Sequence, residues 1–157
     1  MKTIYPTFYL THLYKIKTRY FFLLYLVFNN IQLHAQLVYN NGATIAIKTG
    51  ATVIVRTGSV SNFTGLIDNA GTLQIEGTFT NAATANGGGA NGIYKIQNNW
   101  INNGTFNANN SQVELYGANQ FISGTSITDF YQLTITGTGI KTQTVDARVL
   151  NLLRSEE

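Results

Sequence analysis

From Leu37 onward the hydrophobic pattern is one of short alternating runs, each closed by Asn or Gly. Thr44-Ile45-Ala46-Ile47 and Thr52-Val53-Ile54-Val55 read as strands separated by a Lys48-Thr49-Gly50-Ala51 turn. Thr72-Leu73-Gln74-Ile75-Glu76 alternates apolar and polar as a half-buried strand does. Gly77-Thr78-Phe79-Thr80-Asn81 follows as a shorter one. The densest stretch runs from Trp100 to Ile135. It holds Trp100-Ile101-Asn102-Asn103-Gly104-Thr105-Phe106, Gln112-Val113-Glu114-Leu115-Tyr116-Gly117, Gln120-Phe121-Ile122-Ser123-Gly124 and Phe130-Tyr131-Gln132-Leu133-Thr134-Ile135. Beyond the first 35 residues no segment keeps the i, i+3, i+4, i+7 spacing of a helix.

The runs repeat. Val53, Leu73, Ile93, Val113 and Leu133 stand twenty residues apart. Two residues later come Val55, Ile75, Lys95, Leu115 and Ile135, where Lys95 breaks the series and Ile96 takes its place. An Asn-then-Gly-Thr-apolar turn recurs at Asn69-Ala70-Gly71-Thr72-Leu73 and at Asn103-Gly104-Thr105-Phe106. Periods of this size mark solenoids. One coil of short strands cannot bury its inner face. Stacked coils let each strand pair above and below, and equivalent side chains then fill one continuous core. Asn at equivalent turns can form amide ladders. The pattern predicts an all-β chain, a right-handed parallel β-helix with about 20 residues per coil. The same strand spacing also permits an antiparallel β-sandwich, which is the alternative. Asn81 to Gly92, rich in Asn, Ala, Thr and Gly, has little apolar surface and reads as a loop inserted between coils. It is not a phosphate cradle, because neither Lys-Ser/Thr nor a helix start follows Gly87-Gly88-Gly89.

The start of the chain is different. Residues 1–19 are basic, Tyr20 to Phe28 is a run of nine apolar or aromatic residues, and a polar segment leads to Leu33-His34-Ala35-Gln36. This order is that of a secretory signal peptide over residues 1–35, with cleavage between Ala35 and Gln36. The apolar run is shorter than the roughly 18–20 residues a spanning helix needs. The expected location is therefore secreted, extracellular or at the outer cell surface, with residues 36–157 as the solenoid.

Charge changes the picture only once it is divided. The net charge is +3, but four of the ten basic residues precede position 20. The remainder carries six basic and seven acidic residues, with no basic cluster. Nucleic acid is therefore not an expected partner, and no membrane association is expected after signal removal. The chain has no cysteine, and its two histidines, His12 and His34, lie in the leader. Ser-His-Asp and Cys-His catalysis and histidine metal sites are thus excluded from the mature part. No metal site and no cofactor are expected. Asp68, Glu76, Glu114, Asp129 and Asp146 are scattered, and only Asp68 and Glu76 are candidates to meet on adjacent rungs. Tyr94, Trp100, Tyr116 and Tyr131 are the candidate glycan contacts, as a stacking strip for sugar rings. Packing across neighbouring strands is the competing role for such aromatics.

The stretch from Trp100 to Ile135 resembles the repeats of large secreted surface proteins of Bacteroidota. Those repeats run W-x-N-N-G-x-F, x-V-x-F-x-G, x-Q-x-I-x-G, F-x-N-L-x-I. The match covers residues 93–140 well and 40–80 loosely. The Ala35-Gln36 junction is similar to cleavage sites common in that phylum. The resemblance implies β-helix-like stalks or adhesin-like regions, in proteins that end in a C-terminal sorting domain. This chain closes on Val149 to Glu157 without one, so an N-terminal fragment of a longer reading frame is expected. The function expected is that of a non-catalytic secreted or cell-surface structural or adhesive module. The alternative is an extracellular glycan-binding module, and the third is a fragment of a polysaccharide-cleaving β-helix enzyme. The partner expected is an extracellular polysaccharide or a surface protein. The sequence leaves oligomeric state open.

Overall fold

The structure is a computed structural model that describes residues 36–89 and 91–156. The expected signal peptide, including Ala35 of the cleavage site, lies outside the described residues. Among the described residues there is no helix and every strand pairing is parallel. Parallel pairing throughout decides for the solenoid over the sandwich. The chain winds as a β-solenoid of about six turns with roughly 20 residues in each.

The strands are β1 (Gln36–Ile47), β2 (Thr52–Val55), β3 (Gly58–Asn69), β4 (Thr72–Ile75), β5 (Phe79–Asn81), β6 (Thr84–Asn86) and β7 (Ile93–Ile96). They continue as β8 (Trp100–Asn102), β9 (Thr105–Asn107), β10 (Gln112–Leu115), β11 (Gln120–Gly124), β12 (Thr128–Ile135), β13 (Lys141–Gln143) and β14 (Ala147–Ser155). One sheet runs β14-β12-β10-β7-β4-β2. The other runs β13-β11-β8-β5-β3-β6-β9, with β1 also on β3. The long β3 turns a corner. Its first half pairs with β5 and its second half with β6. Each turn therefore offers three strips: the β5 strip, the β6 strip and the β4 strip.

Equivalent residues stack in columns that form the interior, although Val53 at the end of its column remains exposed. Val53, Leu73, Tyr94, Val113 and Leu133 form one column. Val55, Ile75, Ile96, Leu115 and Ile135 form the next. Val60, Phe79, Trp100 and Ile122 line the β5 strip, and Ile45, Ile67, Ala85 and Phe106 line the β6 strip. Apolar area removed from water in such columns, at roughly 25 cal/mol per Å², is the main stabilising contribution. The twenty-residue series holds at four of its five positions. At the fifth, Tyr94 and not Ile93 is inside. The coil from Leu73 to Tyr94 is one residue longer than twenty, and the next, from Tyr94 to Val113, is one shorter. The slip expected at Lys95 thus begins two residues earlier. Tyr94 holds the shifted register because its ring packs among Phe79, Trp100 and Phe106, and its hydroxyl donates to the Asn86 carbonyl at 2.6 Å.

The segment from Asn81 to Gly92 is not an inserted loop. Thr84–Asn86 is a strand between β3 and β9, and Ala85 is fully buried. Backbone pairing on both sides offsets the ordering entropy that its side chains cannot. Only the Gly-rich turn after it stands off the ladder, with Gly88 and Asn91 at positive φ.

The corners are tight. At Gly117 a Cβ would overlap the Gln97 carbonyl of the turn beneath. Gly117→Ala is expected to destabilise by about 3 kcal/mol, the upper end of the usual range of about 1–3 for an overpacked site, because the clash is with backbone. Gly89→Ala, where a Cβ meets nothing, is expected to stay within about 0.5 kcal/mol of wild type. Urea unfolding of both variants checks this, and equal stabilities would refute it.

Candidate functional site

The corner between the β5 and β6 strips carries the main buried polar feature. Asn40, Asn62, Asn81 and Asn102 are stacked there and are essentially inaccessible to water. Asn40 Nδ2 donates to Asn62 Oδ1 at 2.8 Å, Asn62 Nδ2 to Asn81 Oδ1 at 2.8 Å, and Asn81 Nδ2 to Asn102 Oδ1 at 3.0 Å. The second hydrogen of each amide goes to a backbone carbonyl one turn on. Asn62 reaches Thr84 O at 2.8 Å, Asn81 reaches Thr105 O at 3.0 Å, and Asn102 reaches Ile127 O at 3.2 Å. A primary amide supplies two donors and one carbonyl, so a single residue type satisfies the whole corner. The ladder ends where Gly124 replaces Asn, at φ 128° against the Asn102 backbone. These amides are consumed by the fold and are not available to a ligand.

The four sequence-predicted aromatics do not form one strip. Tyr94 and Trp100 are fully buried. They belong to a ring cluster in which Trp100 lies 4.8 Å from Phe79, 4.9 Å from Phe106 and 5.4 Å from Phe130, centroid to centroid. Trp100 Nε1 donates to the buried Thr128 hydroxyl at 3.3 Å. Burial, with Asp68 adding, pushes the Tyr94 phenol far above its ordinary value. Tyr131 is half-buried and packs against the core. Tyr116 alone of the four stands on an outer face, half-exposed, with Lys95 Nζ 6.0 Å from its ring centre. Partial burial raises its phenol, helped by Glu76 and Glu114 and opposed by a Gln74 hydrogen bond.

The acids do not converge. Asp68 sits on the β6 strip beside Ala46 and Asn86. Glu76 belongs to the β4 strip, where it pairs with Arg56 at 3.3 Å and accepts the Thr57 N–H at 3.0 Å. Glu114 pairs with Lys95 at 3.0 Å, and Asp129 takes a two-pronged Arg148 at 2.6 Å. Among the described residues no three acidic or histidine side chains come close enough to share a metal ion. Surface pairs of this kind add little to stability, because water and salt screen them. A depression of about 540 Å³ beside the last turns is lined by Ile135, Gly137, Thr138 and Lys141 among others. The Lys141 ammonium is committed there to the carbonyls of Gly117 at 2.9 Å and Ala118 at 2.7 Å.

No family profile, no curated protein and no solved structure matches the chain.

The outer face of the β5 strip holds what the sequence did not single out. Tyr39 and Phe63 are each about half-exposed, and their rings stack at 5.7 Å with 22° between planes. Leu37 and Phe121 are exposed on the same face. Phe63 points outward by the alternation that buries Val60 and Asn62, and it meets Tyr39 as a diagonal neighbour across the β1–β3 pair.

Proposed function

We propose that the protein is a non-catalytic structural or adhesive module, exported and displayed at the cell surface. The observation that supports this best is the fate of the polar groups. The buried amides of the corner are spent on its ladder, and Glu76, Glu114 and Asp129 are held in separate ion pairs on different turns. Flat lateral faces remain, repeated turn by turn, and such faces suit shallow multipoint contact. The leader pattern and the resemblance of residues 93–140 to secreted surface repeats point the same way. The test is expression of the full chain with its leader in a bacterium of that kind, followed by fractionation and N-terminal sequencing. The expected result is a chain beginning at Gln36 on the cell surface, which increases attachment to a coated support. An uncut chain retained inside the cell would refute the reading.

A further inference from the structure

The outward side chains of the β5 strip differ from those of the rest of the coil. Along β3, β5, β11 and β13 they are hydroxyls: Ser59, Ser61, Thr78, Thr80, Ser123 and Thr142. Asn99 and Ile101 fill the turn between. The apolar members are Leu37, Tyr39, Phe63 and Phe121. None of these is charged. The ion pairs Arg56–Glu76, Lys95–Glu114 and Arg154–Glu156 all lie on or beside the β4 strip, and Arg148–Asp129 lies where β12 meets β14. One face is thus charged and another is neutral, hydroxylated and aromatic.

The polar groups of the neutral face are pre-positioned. Ser59 Oγ accepts the Thr78 N–H at 3.0 Å, Thr78 Oγ1 accepts the Asn99 N–H at 3.4 Å, and Asn99 Oδ1 accepts the Phe121 N–H at 2.9 Å. Each is anchored as an acceptor from the turn above and keeps its own hydrogens to donate outward. Side chains already fixed lose little entropy on binding. The Tyr39–Phe63 stack presents a flat apolar platform at one end, and Phe121 stands three turns above, in the column of Ser59, Thr78 and Asn99, four residues along the strand from Phe63. At about 4.8 Å per turn and about 3.3 Å per residue, the two lie roughly 14 Å apart along the stack and about 13 Å across it, a diagonal long enough for several sugar rings.

We infer that this face binds a neutral, extended polysaccharide chain running obliquely across the turns, with Tyr39, Phe63 and Phe121 as the stacking platforms. A sugar ring offers an apolar face of axial C–H groups and an equatorial rim of hydroxyls. The first fits the exposed rings, and the second fits the rows of Ser, Thr and Asn. An anionic polymer, a nucleic acid or an anionic lipid surface would call for free cations, and Lys141 of β13, the one cation on these strands among the described residues, is committed to the Gly117 and Ala118 carbonyls. Large exposed apolar residues rimmed by polar ones are a mark of binding surfaces. The inference rests on the surface-module reading and names its ligand class and site.

The test is affinity electrophoresis of the full-length chain in gels carrying hydroxyethylcellulose, xylan, glucomannan or, as a charged control, alginate. Variants are Tyr39→Ala with Phe63→Ala, Phe121→Ala, and Tyr116→Ala on the charged face. The expected result is retardation by at least one neutral polymer that persists in about 0.5 M salt, where surface charge attraction is screened. The double variant and Phe121→Ala should each weaken it about tenfold or more, as loss of an anchoring aromatic does, and Tyr116→Ala should leave it unchanged. Melting curves accompany each variant, and these exposed substitutions should leave them in place. Retardation by alginate alone, none by any neutral polymer, or neutral retardation that depends on Tyr116 and ignores the other three would each overturn the inference. Attachment to a coated support that persists without polysaccharide binding would overturn it too, while leaving the surface-module reading intact.

Discussion

Asn81→Asp is expected to cost about 3–5 kcal/mol at neutral pH, the range for an uncompensated charge left in an interior. The substitution keeps the shape and exchanges the NH2 donor for an oxygen. The new carboxylate could still accept from Asn62, but it would face Asn102 Oδ1 and the Thr105 carbonyl, both acceptors. Burial among acceptors raises the folded-state pKa of this carboxyl above its unfolded value. A raised pKa means that the folded variant is least penalised when the group is protonated. The variant should therefore recover stability as pH falls toward the unfolded carboxyl value of about 3.9, and lose it as pH rises through the folded one. The neutral form can donate one of the two missing hydrogen bonds, so recovery is partial. Asn81→Leu, which orphans partners without adding charge, should cost about 1–3 kcal/mol with no such pH dependence. Urea titrations at several pH values decide it. Equal pH profiles for the Asp and Leu variants would show that the ladder does not run in the stated direction.

Trp100→Ala is expected to cost about 3–5 kcal/mol, as truncation of a fully buried aromatic does. Its ring is the hub of the cluster, touching rings from its own turn and from both neighbours. Loss of Nε1 also leaves the buried Thr128 hydroxyl without a donor, adding about 1 kcal/mol. Trp100→Phe keeps most of the packing and should cost about half as much or less. In a solenoid each turn leans only on its neighbours. The defect should accordingly show first as faster amide exchange in β5, β8 and β11, with β2 and β14 less affected. Uniform loss of protection, or a cost below about 1 kcal/mol, would contradict this account.

Much of the architecture could be read along the chain because strand spacing is fixed. Parallel coils place equivalent residues atop one another, so Val53, Leu73, Val113 and Leu133 had to recur at the coil length. The choice between Ile93 and Tyr94 was not readable, because both are large and the turn before them can hold one residue more or fewer. Tyr94 and Trp100 illustrate a related ambiguity. An aromatic with a polar handle suits a surface or a core, and only the partners settle it: Asn86 O, eight residues from Tyr94, and Thr128 Oγ1, 28 residues from Trp100. The ladder did leave a signal. Val38-x-Asn40, Val60-x-Asn62, Phe79-x-Asn81 and Trp100-x-Asn102 share an apolar residue two before each Asn. The Tyr39–Phe63 platform left half a signal: alternation puts both rings outside, but their contact depends on how β1 is registered on β3.

The long coil that ends at Tyr94 and the short one that follows restore alignment within a single circuit. Such a stack corrects its own spelling errors. A residue gained in one corner can be forgiven by a residue lost in the next, and every later circuit stays in step. Lineages carrying this architecture can therefore drift in repeat length through paired small insertions and deletions, while the interior they share remains continuous.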